Sequence, residues 1–258
     1  MITSTSNAKV KELVQLQKSS RRRREQSVFI VEGSRMCGEI PGDLIIERYV
    51  SETYMQQHAN QDLNSIKTEV LADRVFAHVS DTKTPQGILC VVKMIIYTAD
   101  EIINVSNPFI LILDGLQDPG NLGTIFRTAE AAGVSGIIMS RECVDIYNPK
   151  VIRSTMGSIY RMPFKYADDL AGMIGRMKDR GVQIYAAHLD GRCSYDEADY
   201  SQKTAFMLGN EGNGLRREIA DLADACIQIP MHGEVESLNV AVAGTVLMFE
   251  AARQRRRK

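Results

Sequence analysis

Short apolar runs and amphipathic stretches alternate through the first hundred residues. The apolar runs are bounded by turn-forming residues and predict four strands, at 28–31, 44–50, 66–71 and 87–92. Apolar residues spaced three or four apart predict helices over 7–24 and 73–79, with Asn7 as the N-cap of the first. This alternation is typical of a compact α/β unit.

The second part of the chain alternates more regularly. Continuous apolar runs predict strands at 109–113, 136–139, 182–187, 204–208 and 226–229. Helices are predicted over 121–133, 149–160, 168–180, 215–223 and 238–253. Strands that are apolar on both faces and alternate with helices indicate a mainly parallel sheet covered on both sides. The more polar stretch 97–108 predicts a linker, so the expected domains are 1–96 and 109–258.

The composition is that of an ordinary globular protein, with 44% hydrophobic and 24% charged residues among 258. No apolar run approaches the roughly 18–20 residues of a membrane span, and the N-terminus lacks the layout of a secretory signal. The five cysteines are widely spaced, and neither they nor the four histidines form a metal-ligand motif. We therefore expect a cytoplasmic protein with reduced thiols, without a metal and without membrane contact.

The near-zero net charge of −1 conceals an uneven distribution. Residues 1–35 carry eight basic and three acidic groups, a net +5, and residues 250–258 carry five basic groups and one acidic group, a net +4. The remaining 36–249 therefore hold −10. Basic ends on an acidic body indicate a polyanionic partner, although solvated tails show the same pattern.

Three loops that follow predicted strands combine glycine with polar residues, and ligand sites in parallel α/β sheets form in such loops. Loop 114–129 contains Asn121, a candidate helix cap, and Arg127, whose neighbours in sequence are apolar or small. A charge that serves only solubility is costly among such neighbours. Loops 208–215 and 229–243 contain the other candidate groups. Alone, each loop also fits a capped helix or a glycine turn, and none contains G-x-G-x-x-G or a P-loop, which excludes a dinucleotide-binding oxidoreductase.

The three loops together carry a more specific pattern. The motifs N-x-G-x-x-x-R, L-G-N-E-G-x-G and I-P-M-x-G-x-x-E-S-L-N-V occur in this order, each after a strand. In this combination the chain resembles the SpoU family of RNA ribose 2′-O-methyltransferases, of the SPOUT class. The resemblance is strong over 109–251. It is weaker over the first hundred residues, where 29–33, Arg35 and 84–87 look like the substrate-binding domain that precedes many SpoU domains.

The resemblance implies a trefoil knot near the C-terminus, S-adenosylmethionine as cofactor, and a homodimer. The positions that match the family's catalytic residues are Asn121, Arg127, Glu211, Ser237 and Asn239. Those that match its cofactor loops are Leu208, Gly209, Asn210, Ile229, Met231 and Leu238, with His188 as a further backbone contact. The chain departs from the family at Ala241, where many members have serine.

The resemblance also gives the basic N-terminal segment a function, which is to contact RNA phosphates. The expected contacts are Lys9, Lys11, Lys18, Arg21, Arg22, Arg23, Arg24 and Arg35. A separate substrate-binding domain favours ribosomal RNA over tRNA as the target. A tRNA methyltransferase and a non-catalytic ribosome-assembly factor remain alternatives. Arg127 is either the base that accepts the hydroxyl proton or a cation that holds a phosphate.

Overall fold

The computed structural model describes residues 1–58, 66–189, 191 and 193–256. The chain divides into two compact units. Unit 1 comprises Met1–Ile95 and Asp145–Tyr160, and unit 2 comprises Ile96–Val144 and Arg161–Lys258. The segment 145–160, which lies within the second predicted domain, thus belongs to the first compact unit.

The elements are numbered in chain order. The helices are α1 Ala8–Lys18, α2 Ser20–Gln26, α3 Ser34–Gly38, α4 Glu52–Gln57, α5 Asp73–Val79, α6 Ala99–Ile103, α7 Pro119–Ala132, α8 Pro149–Thr155, α9 Leu170–Asp179, α10 Arg217–Ala220 and α11 Val240–Arg255. The strands are β1 Val28–Glu32, β2 Ile45–Ser51, β3 Thr68–Leu71, β4 Ile88–Lys93, β5 Phe109–Leu113, β6 Gly136–Ser140, β7 Phe164–Ala167, β8 Gln183–Ala187, β9 Cys193–Ser194, β10 Thr204–Leu208 and β11 Ala225–Gln228. Short 3₁₀ turns lie at Gly42–Leu44 and Ser158–Tyr160.

Unit 1 is a four-stranded sheet in the order β1-β4-β2-β3 with helices packed on it. β4 is antiparallel to both β1 and β2, and β3 is parallel to β2. Its core joins the apolar face of α1, including Leu13, to Val75 of α5 and Leu89 of β4. The segment 145–160 contributes Tyr147, whose ring centroid lies 4.6 Å from that of Phe29. Unit 1 is therefore an α/β domain, as the alternating pattern predicts.

Unit 2 is a seven-stranded sheet in the order β7-β6-β5-β10-β8-β11-β9, and every neighbouring pair is parallel. All residues of β5, β6 and β10 are buried, which explains why these strands are continuously apolar in sequence. On one face, Ile102 of α6, Ile174 of α9 and Ile219 of α10 pack in one core with Ile112 and Ala205 of the sheet. The predicted α/β class with a parallel C-terminal sheet is confirmed.

The predicted helix over 7–24 is interrupted at Ser19. This residue has extended backbone angles, φ −117° and ψ 112°, and its side chain accepts a hydrogen bond from the Arg22 amide. Ser19 therefore ends α1 and caps α2, a function for which serine is well suited. α2 contains no apolar residue and buries Arg23, so the apolar pattern ends with α1 and does not mark the start of a second helix.

The predicted helix over 149–160 ends early, at Thr155. Met156 and Gly157 both have left-handed backbone angles, with φ of 50° and 93°, and such residues terminate helices. The strand β7 was not predicted. It is only four residues long, and half-buried Lys165 and Tyr166 lie between its two buried end residues, so it lacks a continuous apolar run.

The stretch predicted as a linker contains α6. Thr98 and Glu101 form a capping box at its start, and Ile102 and Ile103 are buried in the core of unit 2. The polar residues that suggest a linker occupy the exposed side of this short helix. Among the described residues, the helices are too short or too polar to cross a membrane.

Candidate functional site

The three polar loops leave the same edge of the unit 2 sheet. They follow β5, β10 and β11, and β5 and β10 are direct neighbours in the sheet. Because every strand pair here is parallel, the carboxyl ends of these strands face the same way. The fold therefore gathers residues that lie more than one hundred positions apart in sequence.

The first loop positions Asn121 on α7. Asp118, rather than Asn121, is the N-cap, because its carboxylate accepts the Asn121 amide at 2.8 Å and Pro119 takes the first helical position. The sequence-based interpretation of Asn121 as a cap is thus wrong by three residues. The consequence is that the Asn121 side chain is available for contacts outside its own helix.

The second loop is closed by Asn210 and two glycines. The backbone of Asn210 exchanges hydrogen bonds of 2.9 and 3.0 Å with Gly214, and its side chain donates to the Gly115 carbonyl at 2.8 Å. A side chain at Gly209 would place its Cβ 2.1 Å from the carbonyl carbon of Gly214, so only glycine fits there. This loop is consequently a compact hairpin tied to the end of β5.

The third loop ends in the N-cap of α11. The side chain of Asn239 accepts hydrogen bonds from the amides of Ala241 and Val242, at 2.9 and 3.4 Å. Ser237 is exposed and lies two residues before this cap, so Asn239 and not Ser237 caps the helix. Ala241, the position at which the chain departs from the family's serine, is 3% exposed.

Three of the predicted catalytic residues, one from each loop, form a continuous hydrogen-bonded chain. Asn239 Nδ2 donates to Asn121 Oδ1 at 3.0 Å, and Asn121 Nδ2 donates to Glu211 Oε1 at 3.1 Å. The Glu211 carboxylate also accepts the amides of Gln117 at 3.1 Å and Asp118 at 2.8 Å. The network therefore fixes the three loops against one another.

The charge on Glu211 is stabilised by this network. Partial burial raises the pKa of its carboxyl, but the hydrogen bonds from the Asp118 and Gln117 amides and from Asn121 outweigh burial and leave the pKa below its ordinary value. Glu211 is thus an anionic acceptor at neutral pH and a poor candidate for a general base.

Arg127 lies apart from the network. It is six residues beyond Asn121, which turns it roughly 240° around the helix axis. Its side chain is exposed, whereas Ile125, Phe126 and Ala129 are buried. The charge of Arg127 is therefore not costly as its sequence neighbours suggest, because those neighbours face the core and Arg127 does not. Within the described part of the chain, Arg127 has no hydrogen bond or ion pair, so its guanidinium is available to a partner.

An ion pair that sequence reasoning missed supports the same loops. Asp114, at the end of β5, is 1% exposed. Arg216, which follows the glycine loop, pairs with Asp114 through an Nη2–Oδ1 contact of 2.6 Å. This contact raises the pKa of the Arg216 guanidinium further. The only signal in the sequence is an acid directly after a buried strand, which does not reveal its partner.

A cavity of 430 Å³ lies beside this network, within unit 2. It is bounded by the residues that follow β8, β10 and β11 and by the first turns of α11. All seven predicted cofactor residues line it: His188, Leu208, Gly209, Asn210, Ile229, Met231 and Leu238. Glu211 and Ser237 also line it, whereas Asn121, Arg127 and Asn239 do not. Lining residues not predicted from the sequence include Leu189, Gln228, Glu236, Ala243 and Leu247.

Comparison with known proteins places this architecture in a family. Residues 108–249 match the SpoU rRNA Methylase family, and residues 7–90 match the MRM3-like substrate binding domain. The first match alone spans more than half of the chain. The chain belongs to the SpoU rRNA methylase family. It is an RNA ribose 2′-O-methyltransferase that uses S-adenosylmethionine, as the sequence resemblance predicts.

The relatives of this SpoU protein differ in how much of the chain they cover. It is 32% identical to the 23S rRNA (guanosine(2553)-2′-O)-methyltransferase RlmP of Bacillus subtilis, covering 96% of this chain and 97% of the relative. An AdoMet-bound rRNA methyltransferase from Sinorhizobium meliloti is 31% identical, with a TM-score of 0.84, over 98% of this chain and 97% of that one. The TrmH/SpoU tRNA modifying enzyme of A. aeolicus is 28% identical, with a TM-score of 0.52, over 62% of this chain and 81% of that one.

The cavity of this SpoU protein fits S-adenosylmethionine in size and chemistry. Its volume of 430 Å³ falls within the roughly 300–1,000 Å³ of small-molecule pockets. Ile229, Leu238 and Leu247 supply apolar wall for a flat ring, and Glu211 and Glu236 supply carboxylates for a cationic group. Among the described residues, no cluster of ligands suited to a metal ion is present.

The basic residues predicted to bind RNA differ widely in availability. Lys11, Lys18 and Arg24 are exposed and without an ion pair within the described residues. Arg21 is 88% exposed beside Glu25, and Arg35 is 71% exposed. Arg35 also lines a second cavity, of 730 Å³, within unit 1.

The remaining predicted contacts of unit 1 are engaged in its own fold. Lys9 Nζ lies 2.6 Å from the Glu69 carboxylate, and Arg22 makes two hydrogen bonds of 2.8 Å to Glu12. Arg23 contradicts the prediction most clearly, because the whole residue is only 3% exposed.

Arg23 has a structural function instead. Its guanidinium donates to the carbonyls of Leu16 and Gln17, at 2.7 and 3.1 Å, and to Asp145 at 2.6 Å. It thus satisfies carbonyls at the end of α1, which a helix leaves unpaired. The arginine run reads as a uniform basic patch in sequence, but helical geometry turns this one residue inward.

The basic C-terminus is also partly structural. Arg255 donates to the carbonyls of Tyr200, Asn107, Pro108 and Gln202, and its guanidinium lies 4.8 Å from the Phe109 ring centroid. Arg253 is paired with Glu250. Arg256 is exposed, and Arg257 and Lys258 lie outside the described residues.

Proposed function

We propose that this protein methylates a ribose 2′-hydroxyl of ribosomal RNA at the edge of the unit 2 sheet where the three loops meet. The observation that carries the proposal is the chain of hydrogen bonds from Asn239 through Asn121 to Glu211, beside a cavity that fits the cofactor. This arrangement places polar groups that can orient a hydroxyl next to a cofactor site.

Ribosomal RNA is favoured over tRNA as the substrate by the extent of the similarity. The relative named as a 23S rRNA methyltransferase matches 96% of this chain, so it includes a counterpart of unit 1. The tRNA modifying enzyme matches 62%. We infer that the N-terminal domain, residues 1–96 with the added segment 145–160, selects a ribosomal RNA substrate for the methylase domain 109–258. The connection 97–108 carries α6, which packs with the methylase domain. A 23S-type RNA is the proposed target.

In the proposed site, the seven cavity residues that match the family's cofactor loops hold S-adenosylmethionine. Bound S-adenosylmethionine supplies a methyl group activated by a positively charged sulfur. Leu208, Ile229 and Leu238 form apolar wall, and the backbone of the glycine loop and His188 offers hydrogen-bonding groups. Because Gly209 and Asn210 hold this loop in one shape, the cavity is formed before the cofactor enters.

The remaining groups position the RNA. Asn121 and Glu211 orient the reacting ribose, and Asn239 and Ser237 shape the site of the hydroxyl. Arg127 approaches a phosphate of the substrate as a cation, because an arginine side chain holds its proton tightly and this one is exposed without a partner. The hydroxyl proton leaves to phosphate or water as the new C–O bond forms. In the alternative mechanism, Arg127 itself accepts the proton.

The exposed basic residues of unit 1 provide the nonspecific part of RNA binding. Lys11 and Lys18 lie seven residues apart on α1 and therefore on the same face of the helix, and Arg21, Arg24 and Arg35 are exposed as well. Lys9 and Arg22 contribute less because their charges are paired with Glu69 and Glu12.

We further propose that the protein is a cytoplasmic homodimer with a trefoil knot in unit 2. Val242 and Phe249, seven residues apart on α11, are 49% and 45% exposed, which supports burial of this face by a second copy. The small residues of α11 serve packing within the chain, since a side chain at Gly244 would meet Leu208 at 2.8 Å. Action on ribosomal RNA implies the cytoplasm.

The test is transfer of labelled methyl from S-adenosylmethionine to purified ribosomal RNA, ribosomal subunits and tRNA in parallel. We expect incorporation into ribosomal RNA or a subunit, with little into tRNA. Incorporation into tRNA alone would overturn the proposed substrate, and incorporation into none of them would overturn the proposed activity. The variant Asn121→Ala, which breaks the polar network, is expected to lose most of the incorporation and serves as the background control.

A further inference from the structure

The charged residues that line the cofactor cavity are all acidic among those that the structure describes. Among its described lining residues, Glu211 and Glu236 are acidic, and none is lysine or arginine. A cavity with this lining attracts cations, and its field acts on any charge that changes during the reaction.

The two carboxylates are in different situations. Glu211 accepts hydrogen bonds from the Gln117 and Asp118 amides and from Asn121, so its charge is already balanced by donors. Glu236 lies in the loop before Ser237, is exposed, and has no hydrogen bond or ion pair with the part of the chain that the structure describes. Among the described lining residues, Glu236 is therefore the carboxylate without a partner.

Methyl transfer changes the charge of the bound molecule. At neutral pH S-adenosylmethionine carries a sulfonium, an ammonium and a carboxylate, a net charge of +1. When the carbon–sulfur bond breaks, the bonding electron pair remains on sulfur, the methyl group joins the ribose oxygen, and the hydroxyl proton is lost to phosphate or water. S-adenosylhomocysteine, the product, is a neutral thioether with net charge zero.

We propose that Glu236 is a specificity-determining residue that favours the cationic cofactor over its neutral product. The inference rests on the proposed function, because it takes the 430 Å³ cavity as the cofactor site. A free carboxylate at the cavity wall stabilises the bound sulfonium and offers nothing comparable to the thioether. Loss of the sulfonium charge thus weakens the hold on the product and assists its exchange for a new cofactor.

The test is calorimetric binding of S-adenosylmethionine and S-adenosylhomocysteine to the full chain and to Glu236→Gln. We expect the substitution to weaken S-adenosylmethionine about two- to fivefold and to leave S-adenosylhomocysteine unchanged. The difference shrinks as ionic strength rises, because salt screens an exposed charge. The matched control is Glu234→Gln, an exposed glutamate two residues away that does not line the cavity and should change neither affinity.

A third ligand separates charge from the bulk of the methyl group. Sinefungin has a protonated amine in place of the sulfonium and no methyl group to transfer, so it should lose affinity in Glu236→Gln as S-adenosylmethionine does. Equal weakening of all three ligands, or no weakening of the two cations, would overturn the role of Glu236. If Glu234→Gln lost the same affinity for the two cationic ligands, the effect would come from the general surface charge and not from Glu236.

A separate variant tests the cavity assignment itself. Ala243 lines the cavity, and Ala243→Leu fills part of it, so it should weaken all three ligands while leaving the thermal unfolding temperature nearly unchanged. If a folded Ala243→Leu protein bound every ligand normally, the cavity would not be the cofactor site, and the proposed site would fail. Another outcome is that Ala243→Leu loses binding while Glu236→Gln keeps the native ratio of S-adenosylmethionine to S-adenosylhomocysteine affinity. In that case only the inference about Glu236 would fail.

Discussion

At the scale of single residues, the site depends on which atoms a residue leaves free. Asn121 is in the network because Pro119 starts α7 early and Asp118 becomes the cap. Asn239 caps α11 with its oxygen and still donates to Asn121 with its amide nitrogen. A sequence motif identifies such residues. It does not show which atoms cap a helix and which contact another loop, because that depends on the residue at which the helix begins.

Arg127 offers a sharp test of how the hydroxyl proton leaves. If Arg127 contacts a phosphate, Arg127→Lys keeps the cation, and its turnover should stay within about tenfold of the native rate. The turnover of Arg127→Ala should fall about 100-fold or more. Single-turnover methyl transfer with saturating RNA measures both. An inactive Arg127→Lys enzyme that binds RNA normally would count against the phosphate contact and favour Arg127 as the base.

Glu211 predicts a pH dependence of stability. Its folded-state pKa lies below the ordinary value of 4.5, so its carboxylate stabilises the fold fully above that value. The contribution is lost as pH falls through the folded-state pKa. The unfolding free energies of the native protein and Glu211→Gln should therefore differ by a constant amount from pH 7 to about pH 5 and converge below pH 4.5. A difference that is unchanged down to pH 3 would contradict the hydrogen-bonded carboxylate.

At the scale of elements, sequence reasoning succeeds where burial is continuous and fails where local geometry decides. β5 and β10 are fully buried and were predicted residue for residue. The half-exposed middle residues of β7 hide this strand from the sequence pattern, and the polar exposed side of α6 gives it the pattern of a linker. The ends of helices depend on single residues such as Ser19, whose extended backbone no periodicity shows.

The joint between α1 and α2 predicts opposite behaviour for neighbouring arginines. Arg23→Ala leaves the Leu16 and Gln17 carbonyls and the Asp145 carboxylate without their donor, and should destabilise the protein by about 2–4 kcal/mol. Arg24→Ala removes an exposed side chain and should change stability by less than about 0.5 kcal/mol. Denaturant unfolding compares them, and equal effects would contradict the buried position of Arg23.

The contact between the end of β5 and the start of α10 gives a second comparison of neighbours. Arg216→Ala leaves the buried Asp114 carboxylate without its cation and should cost about 1–3 kcal/mol. The control is Arg217→Ala, since Arg217 is 94% exposed and should be nearly neutral. Because Arg216 also follows the glycine loop, its loss should weaken cofactor binding. Unchanged stability and affinity in Arg216→Ala would contradict a supporting role for the pair.

At the scale of the whole molecule, the uneven charge is partly internal. Sequence counting gives +5 for residues 1–35, but Arg23 is buried and Lys9 and Arg22 are paired with acids from the same unit. The basic C-terminus is similarly reduced, because Arg253 and Arg255 are held by the fold. Counting charges along a chain cannot distinguish cations directed at RNA from those that hold the protein together.

The salt dependence of RNA binding tests which cations of unit 1 contact RNA phosphates. Replacing Lys11, Lys18 and Arg24 with glutamine should reduce the slope of log affinity against log salt by about 2, if each contacts one phosphate. Filter binding to a ribosomal RNA fragment at several salt concentrations measures the slope, with Arg217→Gln as the control outside unit 1. A slope equal to that of the native protein would place the RNA surface elsewhere.

We propose that the three loops form the site at which a ribose oxygen of ribosomal RNA is methylated. Nucleoside mass spectrometry of ribosomal RNA incubated with the protein and S-adenosylmethionine tests it most directly. The expected result is one additional methyl group that fragments with the ribose, absent when Asn121→Ala replaces the native protein. A methyl group that fragments with the base, or an unmodified RNA in the presence of folded protein and bound cofactor, would contradict the account.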